Sequence, residues 1–289
     1  MKVFVDWLLA RRTRLVIVSV VAAPLLSVFA AALIALETAR RGALSGAVSG
    51  AGMVGGLALL AVLSRTDVTL FAAVGVVCAV TGLAIGALIR WAGNLVLAFQ
   101  AAVLFCLAVV LSIGVIGIDA RPFFEPAIAE LVALLPSETP PEQVTFVQQR
   151  TAAILLASAV FLQVIGALLL GSWWALLAGG QQRFGHEFRQ LKLGRLLGAG
   201  ATVLIVLGLV FDAPVVQNLT LLAILGFLLQ GVAVLHAWAH AKHWHPALLA
   251  LLYLLLLMPG LNVLVVLPIS MMGLVDQWFD LRASLRSRT

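Results

Sequence analysis

Four histidines crowd one short stretch, at positions 236, 240, 243 and 245. His236, His240 and His243 recur at helical spacing on one face, and two histidines a turn apart can chelate zinc or nickel. No acid or cysteine accompanies them, however, and Trp238 and Trp244 flank them. Histidine beside tryptophan marks a helix end anchored among headgroups, so no metal centre and no cofactor are assigned here. In-membrane amides form a second set: Gln100, Gln163, Gln230 and Asn262. Such amides bond to neighbouring helices or line a cavity. Gln230 and Asn262 lie near the break Pro259-Gly260, so Gln230, Pro259, Gly260 and Asn262 are the candidate ligand-binding residues. A third set, Asp276 and Arg282 with Asp280 between them, flanks the last turn of the final apolar helix. Its expected role is structural, because a carboxylate at that margin can fix where the helix ends. The apolar runs carry no Lys, Arg, Asp or Glu, which counts against a proton-coupled carrier. The chain also lacks a Walker loop, a GxGxxG after a strand and a GxSxG. With no nucleotide site or hydrolase nucleophile, it is not expected to be an enzyme.

Positioning these residues falls to a chain that is 63% hydrophobic and 10% charged, with a mean hydropathy of +1.15. So little polar surface cannot coat a soluble globule. The expected fold class is all-α: a polytopic membrane helix bundle forming a single integral membrane domain over residues 1–289. Cys78 and Cys106 each fall mid-run, where a thiol is a small buried hydrophobe. The opening MKVFVDWLLARRTR and the run after it lack a small-residue cleavage site, so no removable leader is expected. The sequence pI near 10.3 reflects Lys and Arg in short connections, which points to membrane topology and not to nucleic acid.

The first apolar run, residues 15–36, is interrupted by Pro24, and the last, residues 248–275, by Pro259-Gly260. Proline removes a backbone donor and clashes with the preceding turn. The halves of the last run would measure about 17 and 22 Å, short of a hydrocarbon core of about 30 Å. Two half-length helices meeting at a turn are therefore expected, with the break enclosed by other helices. Between the broken runs lie uninterrupted ones, separated by an acidic connection, residues 119–150, and a basic one, residues 181–195. In the acidic connection Phe124, Ile128, Leu131 and Leu135 suit an interfacial helix, and Thr139-Pro140-Pro141-Glu142 reads as a capping box that opens the next span. The basic connection carries Arg183, Arg189, Lys192 and Arg195 against Glu187, with Phe184, Phe188 and Leu191 on one stripe. Phe188, Arg189 and Lys192 are its candidate partner-binding residues.

Charge asymmetry tests this layout. If every apolar run crossed once and the basic connection were cytoplasmic, Arg11, Arg12 and Arg14 would lie outside, as would Arg282, Arg286 and Arg288. Both failures sit at a proline-broken run. If those two runs dip in and return, both termini join Arg40, Arg41, Arg90, Arg195 and Lys242 in the cytoplasm, and the acidic connection faces outward. Small residues at four-residue intervals, among them Gly42, Gly46 and Gly50, Gly82 and Gly86, and Gly194 and Gly198, let helices approach closely. Ala31 and Ala35 share this spacing on the broken first run.

The patches FGHEFRQLKLGRLLG, GFLLQGVAVLHAWAH and GLVDQWFDLR, together with PLLSVFAAALIALETARRG near the start, resemble the YybS-like family of bacterial membrane proteins. That family is itself similar to the S components of energy-coupling-factor transporters, which bind a vitamin or metal and work with separate ATPase and scaffold subunits. The resemblance implies an S-component-like helix bundle in the bacterial cytoplasmic (inner) membrane, and Ala31 and Ala35 as contacts for a partner. The expected role is binding or moving a small solute with partner proteins. The alternative is a structural scaffold that presents its basic cytoplasmic face to a protein partner.

Overall fold

The computed structural model describes residues 1–136, 138–258 and 261–283. Among these residues all regular structure is helical. The first helices are α1 (Lys2–Ala10), α2 (Arg12–Ala22), α3 (Ser27–Arg41), α4 (Ala43–Ser64), α5 (Val68–Ala92) and α6 (Leu95–Ile116). A short 3-10 turn then leads to α7 (Glu125–Ala133), α8 (Pro141–Ala178) and α9 (Phe184–Arg189). The chain ends in α10 (Arg195–Val210), α11 (Pro214–Ala241), α12 (Pro246–Leu257) and α13 (Asn262–Phe279). Five of these helices, α4, α5, α6, α8 and α11, are long and apolar enough to cross a bilayer. The protein is an integral, multi-pass membrane helix bundle. It folds as two compact units, the first made of residues 1–102 and 162–191, the second of residues 103–161 and 192 onward.

The first unit is built around α3. Every residue from Ala30 to Thr38 is buried, as expected of a helix apolar on all sides. Both proline-broken segments form two helices, as the sequence predicts, and α2 stops at Ala22 just before Pro24. The chain then turns back. Arg12 Nη2 donates to Ser45 Oγ at 2.9 Å, and Arg41 donates to the Leu9 carbonyl. The start of α2 and the end of α3 therefore share one end of the unit, and the first broken run enters and returns. At its tip the freed backbone is satisfied locally, with Leu25 N–H bonding Ala22 O at 3.1 Å. Pro24, Leu25 and Leu26 are exposed; the apolar side chains of this break suit lipid and its turn closes its own hydrogen bonds.

The returning arm α3 lies parallel to α5 in a register that repeats every turn. Cys78 Sγ donates to Ser27 O at 3.4 Å, and Arg90 Nη1 to Ala39 O at 3.0 Å. Between them, a Cβ on Gly82 would sit 2.6 Å from Ala31 O, and one on Gly86 2.6 Å from Ala35 O. Glycine at those two turns lets the backbones touch, which replaces the hydrophobic drive that lipid does not supply. Gly42, at φ 98°, ends α3 and turns the chain into α4.

The second unit repeats this solution. α12 runs back along α11, with His236 Nε2 and Tyr253 Oη 2.6 Å apart, and α13 returns parallel to α11. Gly231 packs on the Ile269 carbonyl and Gly273 on the Phe227 carbonyl. Trp238 Nε1 then reaches Leu281 O at 3.5 Å, so the last broken run also ends where it began. Pro259 and Gly260 lie outside the described residues, and their flanks Leu257, Met258 and Leu261 are exposed. Elsewhere in this unit α7 forms as the interfacial spacing predicts, with Ile128 packed among Ala120 and Ala152. The capping box does not: Thr139 Oγ1 donates to Pro136 O at 2.7 Å, and the first helical carbonyl is that of Pro140. Two successive prolines shift the start of α8 by one residue, because Pro141 takes the first helical position.

Replacing Gly82 with Val should destabilise the detergent-solubilised protein by about 1–3 kcal/mol, the range for overpacking a tight interior. A Cβ at Gly55 meets nothing within 4 Å, so Gly55→Ala should leave the melting temperature unchanged or slightly raised. Comparison of the two melts checks the parallel register of α3 and α5.

Candidate functional site

The polar groups of the second unit gather first where α11 and α13 end. Gln230 on α11 is wholly buried, and so is Asp276 on α13. Gln230 Oε1 accepts from Leu193 N–H at 3.0 Å, and its Nε2 donates to Asp276 Oδ2 at 2.8 Å. Arg282, carried back over the helix end by Asp280 in a left-handed conformation (φ 46°), grips the same carboxylate. Its Nε lies 3.2 Å from Oδ1 and its Nη2 2.6 Å from Oδ2. Gln277 Nε2 donates to Gly194 O at 2.8 Å, and Lys192 Nζ pairs with Asp280 at 3.3 Å. These bonds latch residues 192–194 onto the returning arm. A buried charge needs a partner and satisfied lone pairs, and Asp276 has both.

The first unit contains a counterpart that was not singled out from the sequence. Glu37, at the end of α3, is fully buried and accepts from Ser45 Oγ at 2.7 Å and from Arg41 Nη1 at 3.2 Å, with Arg12 Nε at 3.7 Å. Its sequence signal was present: an acid one residue past an apolar run, four before an arginine and at the mouth of a re-entrant arm. At the tip of that arm Gln163 is tied in place, because Ser27 Oγ donates to its Oε1 at 2.9 Å. In-membrane amides thus bond neighbouring segments in both units.

The other expected site residues are dispersed. Ala31 and Ala35 are fully buried and pack on α5, on α3's face toward Gly82 and Gly86. Phe188 stacks on Phe184 with ring centroids 6.2 Å apart, and Phe184 meets Trp173 at 6.4 Å, so the aromatic stripe of α9 is docked on its own unit. Phe188 and Arg189 are half-buried. α11 ends at Ala241, and His243 follows it at φ 50°. His243 therefore leaves the face shared by His236 and His240. Asn262 opens α13 half-buried and, like Gln230, is not among the residues lining the cavities described next.

At the acidic end of the second unit two cavities, of about 220 and 340 Å³, share Gln149, Ala153, Pro214 and Asn218. Gln217 in the first donates to Gly208 O at 2.7 Å and Phe211 O at 3.0 Å, which fixes the turn between α10 and α11. The side chains of Gln149 and Asn218 make no hydrogen bond among the described residues. Two ion pairs border the space, Arg150 with Asp212 at 3.8 Å and Arg121 with Asp119 at 2.8 Å. Hydrogen bonds from the Arg121 side chain and backbone hold the Asp119 carboxyl below its ordinary range, so this pair stays ionised at neutral pH. The arrangement offers amide donors and acceptors, paired charges and apolar walls from Phe146, Ile154 and Leu156.

No family model, curated protein or solved structure matches the chain.

Removing one partner of a buried ion pair costs about 3–5 kcal/mol, whereas an exposed pair is worth about 1 kcal/mol or less. Asp276→Asn, which leaves the Arg282 cation buried without its countercharge, should therefore lower the melting temperature markedly. Asp280→Asn, which gives up a half-buried pair with Lys192 but keeps a side chain that tolerates the left-handed backbone, should lower it less. Equal melts for the two variants would deny Asp276 its place in the latch.

Proposed function

We propose that this integral membrane protein binds a small polar solute at its acid-rich end and works with partner proteins, without catalysing a reaction on that solute. The observation that carries this reading is the joined cavity space lined by Gln149, Asn218 and Gln217. Ligand sites are concave, largely apolar and equipped with a few convergent polar groups, and two of these amides make no side-chain hydrogen bond among the described residues. Such donors and acceptors suit a neutral or zwitterionic molecule. The similarity of the chain's short patches to the YybS-like family, and through it to S components, supports the same role.

In this reading the acidic connection faces outward, and both termini and the basic connection lie in the cytoplasm of a bacterium. The returning arms support that orientation. Arg12 and Arg41 meet at one end of the first unit, and Lys192 and Arg282 meet Asp280 and Asp276 at one end of the second. The scaffold alternative gains less support, because the aromatic stripe of α9 packs on Trp173 and Lys192 is held by Asp280.

Protein purified in mild detergent should retain a small molecule identifiable by mass spectrometry. Gln149→Leu and Asn218→Leu should each weaken its binding up to about tenfold, the loss of one hydrogen bond worth about 0.5–1.5 kcal/mol, with an unchanged melt of the unliganded protein. Retention undiminished in the double variant would place the solute elsewhere.

A further inference from the structure

A third cavity, of about 190 Å³, opens in the first unit beside the basic connection. Its wall carries Arg40, Arg90 and Arg183 against a single carboxylate, Glu187, and Ser172 and Asn94 add polar groups. Glu187 is already engaged. Its Oε1 pairs with Arg183 Nε at 2.9 Å, and its Oε2 accepts from Leu95 N–H, at the start of α6, also at 2.9 Å. Asn94 caps the same helix, its Oδ1 accepting from Leu97 N–H at 2.8 Å. Arg90 bonds the Ala39 carbonyl through Nη1 alone, which leaves most of its five donors unused. Arg40 makes no hydrogen bond or ion pair among the described residues. Among the described residues, the Arg40 and Arg90 guanidiniums therefore border one concave space without forming an ion pair.

We infer that this cavity binds a negatively charged phosphate group. Guanidinium forks match phosphate oxygens in pairs, and a site walled by apolar helices strengthens the attraction relative to open water. The space admits a phosphate with a few waters, each of which occupies about 30 Å³. Its position suits the headgroup of an anionic lipid, since basic pockets between membrane helices hold such headgroups. A soluble phosphate ester presents the same chemistry, and the two sources separate by experiment.

Full-length protein stripped of lipid in a neutral detergent is titrated with phosphatidylglycerol, phosphatidylcholine or glycerol phosphate while its melting temperature is followed. Phosphatidylglycerol, glycerol phosphate or both should raise the melt of the wild type. Phosphatidylcholine, whose own trimethylammonium neutralises its phosphate, should not. A response to phosphatidylglycerol alone assigns a lipid headgroup, and a response to glycerol phosphate assigns a soluble ester. Arg40→Gln removes a side chain that makes no hydrogen bond or ion pair among the described residues, and it should raise the half-saturating concentration at least about fivefold. Arg65→Gln, on the α4–α5 connection, should leave it unchanged. The inference is overturned if neither phosphate probe stabilises the protein, if phosphatidylcholine acts as well as phosphatidylglycerol, or if Arg40→Gln responds like the wild type.

Discussion

A helix interrupted within a bilayer exposes backbone groups that hydrocarbon cannot satisfy, and the architecture depends on how that constraint is met. At the first break the chain closes its turn with local hydrogen bonds, and in both broken segments the second helix is sent back. The returning arm is held by backbone contact. α3 meets α5 once per turn through Ser27, Ala31, Ala35 and Ala39, and α13 meets α11 across Gly231 and Gly273. Lipid is as apolar as leucine, so only such close approach and interhelical hydrogen bonds distinguish the folded arm from one lying free among the acyl chains. The small residues along these helices are the means by which re-entrance is stabilised.

Each returning arm ends in a buried carboxylate gripped by arginine, Glu37 by Arg41 and Arg12, and Asp276 by Arg282. Their placement has a common logic. Where an arm regains the polar margin, a carboxylate can accept donors from the arm's own helix end and from the neighbouring connection together. Ser45 and Leu193 are the elements captured in this way, the latter through Gln230. In the second unit the basic connection is thereby fastened at Leu193.

The helical class and the two proline breaks were legible because apolar length and proline chemistry act locally. The doubling back of each broken run was legible too, from the misplaced arginines at the two ends of the chain. Packing partners were not. Nothing in the spacing of Ala31 and Ala35 says that Gly82 and Gly86 lie against them, since a small-residue face announces close approach without naming the helix that approaches. Gln230 shows the same limit: an amide near a break reads as a cavity residue, yet Leu193 and Asp276, distant in sequence, occupy it. Glu37 escaped notice because counting charges inside the apolar runs stops one residue short of it. The amides Gln149 and Asn218 lie in the first turns of two helices distant in sequence, α8 and α11, and only the fold brings them to one space.

Everything rests on the two broken runs entering and leaving at the same end, which cysteine accessibility reads directly. Single cysteines are introduced at Ala10, Glu130, Gln190 and Ala283 in a chain whose Cys78 and Cys106 are replaced by alanine, and intact cells are treated with a thiol reagent that cannot cross the membrane. Labelling at position 130 alone, with 10, 190 and 283 protected until the membrane is permeabilised, is the predicted result. Labelling of position 10 or 283 together with 130 would mean that the corresponding run crosses the membrane, and the paired re-entrant architecture would be contradicted.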